Sequence, residues 1–558
     1  MTTTTKPDPP HAPSDDRGEI VIGLVKAMGT DLDIAISTLT KQLELYGWEP
    51  RVIRLFDESW ELRRTSYELF GPTNESFIEY PSSYWRDHRH GMERGAWARA
   101  FTRQFDTLAR DAMAGIQRER DPSRNQVFIL RSLMHDHEVN LLRDVYGKRF
   151  FTIAAYEPYP RRLGSLIKTL QMREPGIADQ DARNAAADLM WSEAHSPRQS
   201  INIAKTFQRA DVFLDSNRTE ATRKAIERFT AYLFSYPFGT PTVDEYGMSI
   251  AWQARYASDA LSRSVGAAAL DPRTGRLLAA TANGTPRPPM HGPWPDNDTS
   301  KDQPDNSSAK EDYREHLIGR DSSDRKRWEV FVDTIDRLKD VGLLDKDVDP
   351  QKLYASEPAI RAMKQFDSIS YGSTIHAEAH LIASAASSRT SLRGATLYVT
   401  TYPCHECTRL IIQSGVERVV FIEPYPKSLA ADLYPRQIVE RDQAKDAKAM
   451  HLKVRFEPFV GIAPTRFTDL FSFEPRKATD TAASDRQGLS GDRVAWPSNR
   501  HRVRPSILPA LHLTRAAGAA VALLEKECIA SSNRAWASAL EEAGLIELSF
   551  NEDQSLTQ

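Results

Sequence analysis

The stretches His376-Ala377-Glu378 and Pro403-Cys404-His405-Glu406-Cys407 decide how this chain reads. Cys404 and Cys407 are three apart, a spacing that on a helix sets both sulfurs on one face, one turn from each other. Pro403 suits a chain entering a helix. A helix amino terminus favours the metal-binding thiolate over the thiol. His376 offers a third donor through a neutral ring nitrogen. Three protein donors leave the fourth tetrahedral position of a zinc ion open for water, the catalytic arrangement, whereas structural zinc is closed by four. Zinc brings the pKa of such a water towards neutrality. Glu378, two residues beyond His376, is then the expected proton carrier. The competing readings are a structural zinc knuckle and a redox cysteine pair. A knuckle needs a fourth ligand, and the chain has 3 cysteines, the last of which, Cys528, lies in a distant Ala/Leu-rich stretch where a buried thiol is expected. His405 and Glu406 sit between the two cysteines and are expected to point elsewhere. A redox pair leaves His-Ala-Glu unexplained.

Working outward, residues 264–270 (SVGAAAL) and 276–282 (RLLAATA) flank the turn Asp271-Pro272-Arg273-Thr274-Gly275 and predict a β-hairpin. Asn283-Gly284-Thr285-Pro286 follows. Helical periodicity covers 376–388, a strand 394–400, a second helix 404–414 closed by Gly415, and a strand 417–423. Strands alternating with helices predict an α/β/α sandwich. With His-x-Glu and Pro-Cys-x-x-Cys in this frame, the segment carries the signature of zinc nucleobase deaminases. From about Met248 to Phe473 it resembles the deoxycytidylate deaminase family of the cytidine deaminase superfamily. That resemblance implies hydrolysis of a C–N bond in a cyclic amidine, with Zn2+ on His376, Cys404 and Cys407 and Glu378 as the catalytic acid and base. It also implies that Asn283 holds the sugar, beside Ala377 and Pro403 at the substrate. Asn-Gly is a turn signal in its own right, so both readings of Asn283 stand. Tyr425 and Lys427, with Ser428, follow the last strand and are candidates for phosphate contact, although a loop holding Pro424 and Pro426 has structural reasons for this composition. A polar insertion at 287–372 interrupts the frame; within it, 328–341 reads as an amphipathic helix, over the pocket, at a subunit contact or simply on the surface.

The amino-terminal half opens with an apolar strand at 18–24, a loop containing Gly29-Thr30-Asp31, an amphipathic helix at 32–45 ended by Gly47, and a strand at 51–55. Strand, glycine loop and helix in this order begin many nucleotide-binding α/β domains. The Gly-Lys-Ser/Thr of a phosphate loop is absent: Gly29-Thr30-Asp31 stands in its place, and Lys26 lies elsewhere in the loop. Further strands are expected at 126–132, 150–155 and 211–214. The region looks like a P-loop-kinase-like domain that binds or senses a ligand, with Gly23, Gly29 and Thr30 as its candidate nucleotide residues. Its pairing with a deaminase domain resembles the bacterial antiphage dCTP deaminases, through the segments IVIGLVKAMGTDLD, FILRSLMHDHEVNLLRDVYG, HAE, YPCHEC and IEPYPKS. The resemblance implies deoxycytidine nucleotide substrates (dCTP and dCMP), dCTP depletion during infection, a regulatory nucleotide or RNA, and a homo-oligomer.

The expected organisation is a flexible tail at 1–17, the P-loop-kinase-like domain at 18–237, the deaminase domain at 246–473, a polar linker at 477–505 and a helical tail at 506–558. A chain of 558 residues with 40% hydrophobic residues can build such cores. No apolar run is long enough to span a bilayer. The low cysteine count fits a reducing cytoplasm. A net charge of −3 gives no bulk attraction to nucleic acid, and no aromatic-and-basic track flanks the motifs. The rival substrate class is nevertheless a polynucleotide, as for a nucleic-acid-editing cytidine or adenosine deaminase.

Overall fold

The computed structural model describes residues 17–54, 107–121, 123–173, 176–195, 203–234, 239–261, 263–286, 322–357, 372–423, 428–440, 453–471, 512–513 and 521–526, with single residues besides. The chain divides into two units, Met1–Thr240 with Val460–Gln558, and Pro241–Phe459.

The first unit is built on β1 (Arg17–Lys26), β2 (Glu49–Arg54), β3 (Gln126–Leu133), β4 (Phe150–Tyr156) and β5 (Val212–Asp215), parallel and in the order β2-β3-β1-β4-β5. A parallel sheet is covered on both faces, so its strands are apolar without alternation. In β1, Ile20, Val21, Ile22, Leu24 and Val25 are all buried. The helix Asp33–Leu45 follows β1 and buries Ala35, Leu39 and Leu43, spaced four apart on one stripe.

This unit continues past the middle of the chain. The expected second domain reaches residue 473, but the chain leaves it at Phe459. Gly461–Ile462 (β12 in chain order) pairs antiparallel with Phe213 and Val212 of β5. Arg466 Nε then lies 3.0 Å from Asp211 Oδ1, and its Nη2 donates to Phe150 O at 2.7 Å. These long-range contacts hold residues 460–471 to the first unit. The expected helical tail also differs: His512–Leu513 (β13) is a strand pairing with Gly18 and Arg17, and helix covers 521–526. That helix places Glu525, with no exposed surface, between Arg120 (2.7 Å) and the Tyr146 hydroxyl (2.5 Å).

The second unit carries β6 (Gly266–Leu270), β7 (Leu277–Ala282), β8 (Thr396–Thr401), β9 (Arg418–Glu423), β10 (Ile438–Glu440) and β11 (Val454–Pro458), in the order β10-β11-β9-β8-β6-β7. The hairpin β6–β7 is antiparallel, as is β6–β8, while β8, β9, β11 and β10 run parallel. The helix Val243–Ala254, capped by a reciprocal Thr242–Glu245 box, lies against this sheet. Its approach to β6 is close enough that a Cβ on Gly266 would lie 1.9 Å from Ala251 O. Arg418 joins Asp244 of that helix (2.6 and 2.8 Å) to Glu457 of β11 (3.0 Å). Within the insertion the described helices are Ser322–Asp340 and Pro350–Ser356; Trp328 and Phe331 of the first meet Tyr354 of the second edge-on. Among the described residues no helix is long and apolar enough to cross a membrane.

Candidate active site

The site forms at the carboxyl ends of β8 and β9, parallel neighbours paired as far as Thr401 and Glu423. Ligand sites of open α/β sheets gather at such strand ends. The chain turns out of β8 through Tyr402 and Pro403 into the helix His405–Ser414. Cys404 is the N-cap residue, and its sulfur accepts from Cys407 N at 3.4 Å. The amino end of a helix stabilises negative charge, so the cap position itself favours a thiolate. Ser428 Oγ fixes the turn by donating to Pro403 O at 2.8 Å.

His376 arrives from the other side as the N-cap of the helix Ala377–Ser387. Four hydrogen bonds, two of them in one bridge, hold this helix start to the hairpin. Ile375 and Gly284 form an antiparallel bridge, Thr281 Oγ1 donates to Ala377 O at 2.8 Å, and His380 Nδ1 meets Ala282 O at 2.9 Å. His376 Nδ1 consequently lies 3.3 Å from Cys404 Sγ and 3.4 Å from Cys407 Sγ.

These donors fit zinc. Bonds of about 2.3 Å to sulfur and about 2.0 Å to nitrogen at tetrahedral angles separate nitrogen from sulfur by roughly 3.5 Å. The three donor atoms lie within 4.8 Å of one another, and no fourth His, Cys, Asp or Glu joins them among the described residues. Glu406, which lies between the cysteines, is instead turned to Arg409. The set is therefore open at one corner, as a catalytic metal requires and a structural one does not.

Electrostatics match the donor roles. The hydrogen bond from Cys407, aided by His376, pushes the Cys404 thiol down to about 4. Cys404 in turn raises His376 to about 9, and the hydrogen bond with Cys404, then burial, pushes Cys407 up. A metal ion deprotonates coordinating thiols outright, so it replaces the protons this cluster otherwise shares. Glu378 stands in the first turn of the Ala377–Ser387 helix and is 4% exposed. Burial, then the negative charge on Cys404, raises its carboxyl to about 7, with His376 pulling the other way. It is not one of the three donors, and its carboxyl accepts a hydrogen bond from Cys407.

The remaining expected residues fall in different places. Ala377 and Pro403 are buried and adjoin the donors in sequence. Asn283, 8% exposed, ends the hairpin one residue before the Gly284–Ile375 bridge. Its Oδ1 accepts from Ser258 Oγ (2.8 Å) and Val265 N (2.7 Å), and its Nδ2 donates to Arg263 O (2.8 Å). The side chain is thus a strut for the segment entering β6, with a second Nδ2 hydrogen beyond these bonds. Tyr425 and Lys427 lie outside the described residues. In the first unit, Gly23 lies inside β1 and not in the loop; a Cβ there would lie 2.4 Å from Leu133 Cδ1. Gly29 and Thr30 are in the loop after β1.

Sequence reading missed the ion pair between Arg263 Nη1 and Glu423 Oε1 (2.8 Å), whose other carboxylate oxygen accepts from Thr401 Oγ1 at 3.2 Å. It ties the entry to β6 to the end of β9, beside the turn that carries the cysteines. No local signal couples residues so far apart in sequence.

Comparison with known proteins agrees with this geometry. Residues 241–423 match the family model described as the cytidine and deoxycytidylate deaminase zinc-binding region. The deoxycytidylate deaminase of Enterobacteria phage T2 is 46% identical over 54 residues, 10% of this chain and 29% of that protein. The ComE operon protein 2 of Bacillus subtilis is 36% identical over 84 residues, 15% of this chain and 44% of its own length. Human deoxycytidylate deaminase is 40% identical over 52 residues, 9% of this chain and 28% of that protein. The chain thus spans less than a third of the phage and human relatives. A crystal structure of dCMP deaminase from the cyanophage S-TIM5 is 17% identical and aligns over 40% of this chain and 100% of its own, at a TM-score of 0.20, too low to carry a structural inference. The family-model match spans His376, Cys404 and Cys407, so the donor set lies in a region similar to the cytidine and deoxycytidylate deaminase zinc-binding region, and zinc is the metal it takes.

Proposed function

We propose that the second unit removes the exocyclic amine of deoxycytidine nucleotides, converting dCMP and dCTP to the uracil nucleotides, and that the loss of dCTP serves defence against phage. The observation that supports this most is the three-donor cluster of His376, Cys404 and Cys407 with buried Glu378 beside it and outside the donor set. The substrate class follows from the relatives named as deoxycytidylate deaminases. His376, Cys404 and Cys407 would hold zinc, which would supply Lewis-acid chemistry to activate water. Glu378 takes a proton from the attacking water and passes it to the ring nitrogen, then moves the second proton from the added hydroxyl to the amine, which leaves as ammonia. The water oxygen becomes the product carbonyl as the C–N bond breaks. Ala377 and Pro403 wall the base, Asn283 reaches the sugar with its remaining Nδ2 hydrogen, and Tyr425 and Lys427 contact phosphate. The first unit acts as a P-loop-kinase-like regulator answering to a nucleotide or an RNA through the loop at Gly29 and Thr30, in a homo-oligomer.

The test is ammonia release by zinc-loaded protein from dCMP, dCTP, cytidine and a cytosine-containing single-stranded oligonucleotide. Release from the deoxynucleotides is expected. Release from the oligonucleotide alone would replace this reading with polynucleotide editing.

A further inference from the structure

The loop after β1 is occupied by the protein itself. Asp31 N–H, two residues before the helix Asp33–Leu45, donates to Glu157 Oε2 at 2.9 Å. Glu157 is 9% exposed and comes from the carboxyl end of β4, the strand beside β1. The helix that it faces has 13 residues, and its N-cap Leu32 supplies no side-chain cap. A helix start of this kind, with its dipole and its amide hydrogens, is where an anion binds. Cations surround the same place. Lys26 Nζ donates to Thr30 O at 3.0 Å, and Arg162 donates to Met28 O (3.2 Å) and Glu157 O (3.1 Å). Gly29, at φ 83°, lets the loop press on the helix Tyr159–Arg173, which follows β4, so closely that a Cβ would lie 2.5 Å from Arg162 O.

A second observation points to a ligand. Thr30 is 2% exposed, and its Oγ1 is buried with no hydrogen-bond partner. A buried hydroxyl left unpaired costs about 1–3 kcal/mol, so such a group asks for a partner. It adjoins the amide that Glu157 occupies.

We propose that the first unit holds a phosphate seat at the amino end of the Asp33–Leu45 helix, formed by Asp31 N–H, Thr30 Oγ1, Lys26 and Arg162, and that the Glu157 carboxylate fills this seat as an internal anion until a phosphate group displaces it. This deepens the regulatory reading of the first unit and rests on it. The absence of a phosphate-loop lysine then has a physical sense, because the loop is built to be closed by a carboxylate and opened by a competing anion. Burial raises the Glu157 carboxyl above its ordinary range, the Asp31 N–H bond lowers it, and the like charge of the Asp31 carboxylate raises it further.

The experiment is titration calorimetry of the full chain and its Glu157→Ala and Glu157→Gln variants with inorganic phosphate and, separately, with dCTP and ATP, using Glu378→Ala protein so that no nucleotide is consumed. Removing the competing carboxylate is expected to tighten binding at the seat at least about tenfold, which corresponds to about 1.4 kcal/mol. Adding Thr30→Val should reverse the gain. Tightening for inorganic phosphate as well as nucleotides identifies the phosphate group as the ligand; tightening for nucleotides alone assigns the seat to a nucleoside phosphate. Unchanged binding in the Glu157→Gln variant, with its thermal transition intact, overturns the proposal. The two readings fail separately. Tightened binding with no effect on deamination by the otherwise unmodified enzyme keeps the seat and removes the regulatory role. Nucleotide-dependent deamination with unchanged binding in the variants keeps regulation and removes the seat.

Discussion

Replacing Asn283 by Ala separates its two roles. The side chain makes three bonds, from Ser258 Oγ and Val265 N and to Arg263 O. Truncation leaves the Val265 N–H and the Arg263 carbonyl where they are, because both belong to the backbone. The Ser258 hydroxyl is free to rotate to another partner. Taking the lower end of the cost of an orphaned group, about 1 kcal/mol for each backbone group and somewhat less for the hydroxyl, the loss is about 2–3 kcal/mol. For a unit of this size each kcal/mol moves the midpoint by roughly 2–4 °C, so the transition of the second unit should fall by about 5–10 °C. Differential scanning calorimetry of the zinc-loaded protein measures this, and Asn283→Asp supplies the comparison: it keeps both acceptor bonds, loses the donor and sets a carboxylate against Arg263 O. Steady-state kinetics at a temperature where both variants are folded then reads the sugar contact, as a rise in KM for dCMP. A shift below about 2 °C in Asn283→Ala would refute the strut, because three bonds of 2.7–2.8 Å to a nearly buried side chain cannot vanish without cost.

Cys404→Ala should abolish zinc binding, since two remaining donors do not hold a catalytic zinc; metal content near that of the wild type would break the ligand assignment. Glu525→Ala leaves the Arg120 guanidinium in a half-closed site with Glu19 alone, and removes the partner of the buried Tyr146 hydroxyl. Breaking such a buried pair costs about 3 kcal/mol. Denaturant unfolding of the first unit should show it, and a loss under about 1 kcal/mol would mean that the carboxyl-terminal segment contributes little to that unit.

What was legible in the sequence was what is local. The zinc motifs could be read because each half is contiguous, and the hairpin at 266–282 because Asp271 and Gly275 mark its turn. The helix His405–Ser414 could be read because Gly415, at φ 80°, supplies the left-handed residue that ends it. Strand β1 and its helix were legible for the same reason, with boundaries off by a residue or two. What was not legible is what depends on distant partners. Two-residue strands such as Gly461–Ile462 and His512–Leu513 have no periodicity of their own; they exist because β5 is an edge strand and because Arg17 and Gly18 of β1 run ahead of its ladders with β3 and β4. Glu525 reads as one more surface charge on a helix until Arg120 and Tyr146 are seen around it. Glu157 is likewise silent in sequence, because only the order β3-β1-β4 carries it to Asp31. Gly23, expected near a phosphate loop, instead lies within β1, where it faces Leu133 of β3.

The most direct measurement is ammonia release from dCMP by the wild type and by Glu378→Ala, with zinc determined on the same samples. The account expects a full complement of zinc in both proteins and turnover only in the wild type, since the carboxyl at 378 moves the protons and does not hold the metal. Turnover retained without that carboxyl, or zinc lost along with it, would contradict the division of labour between three donors and one proton carrier.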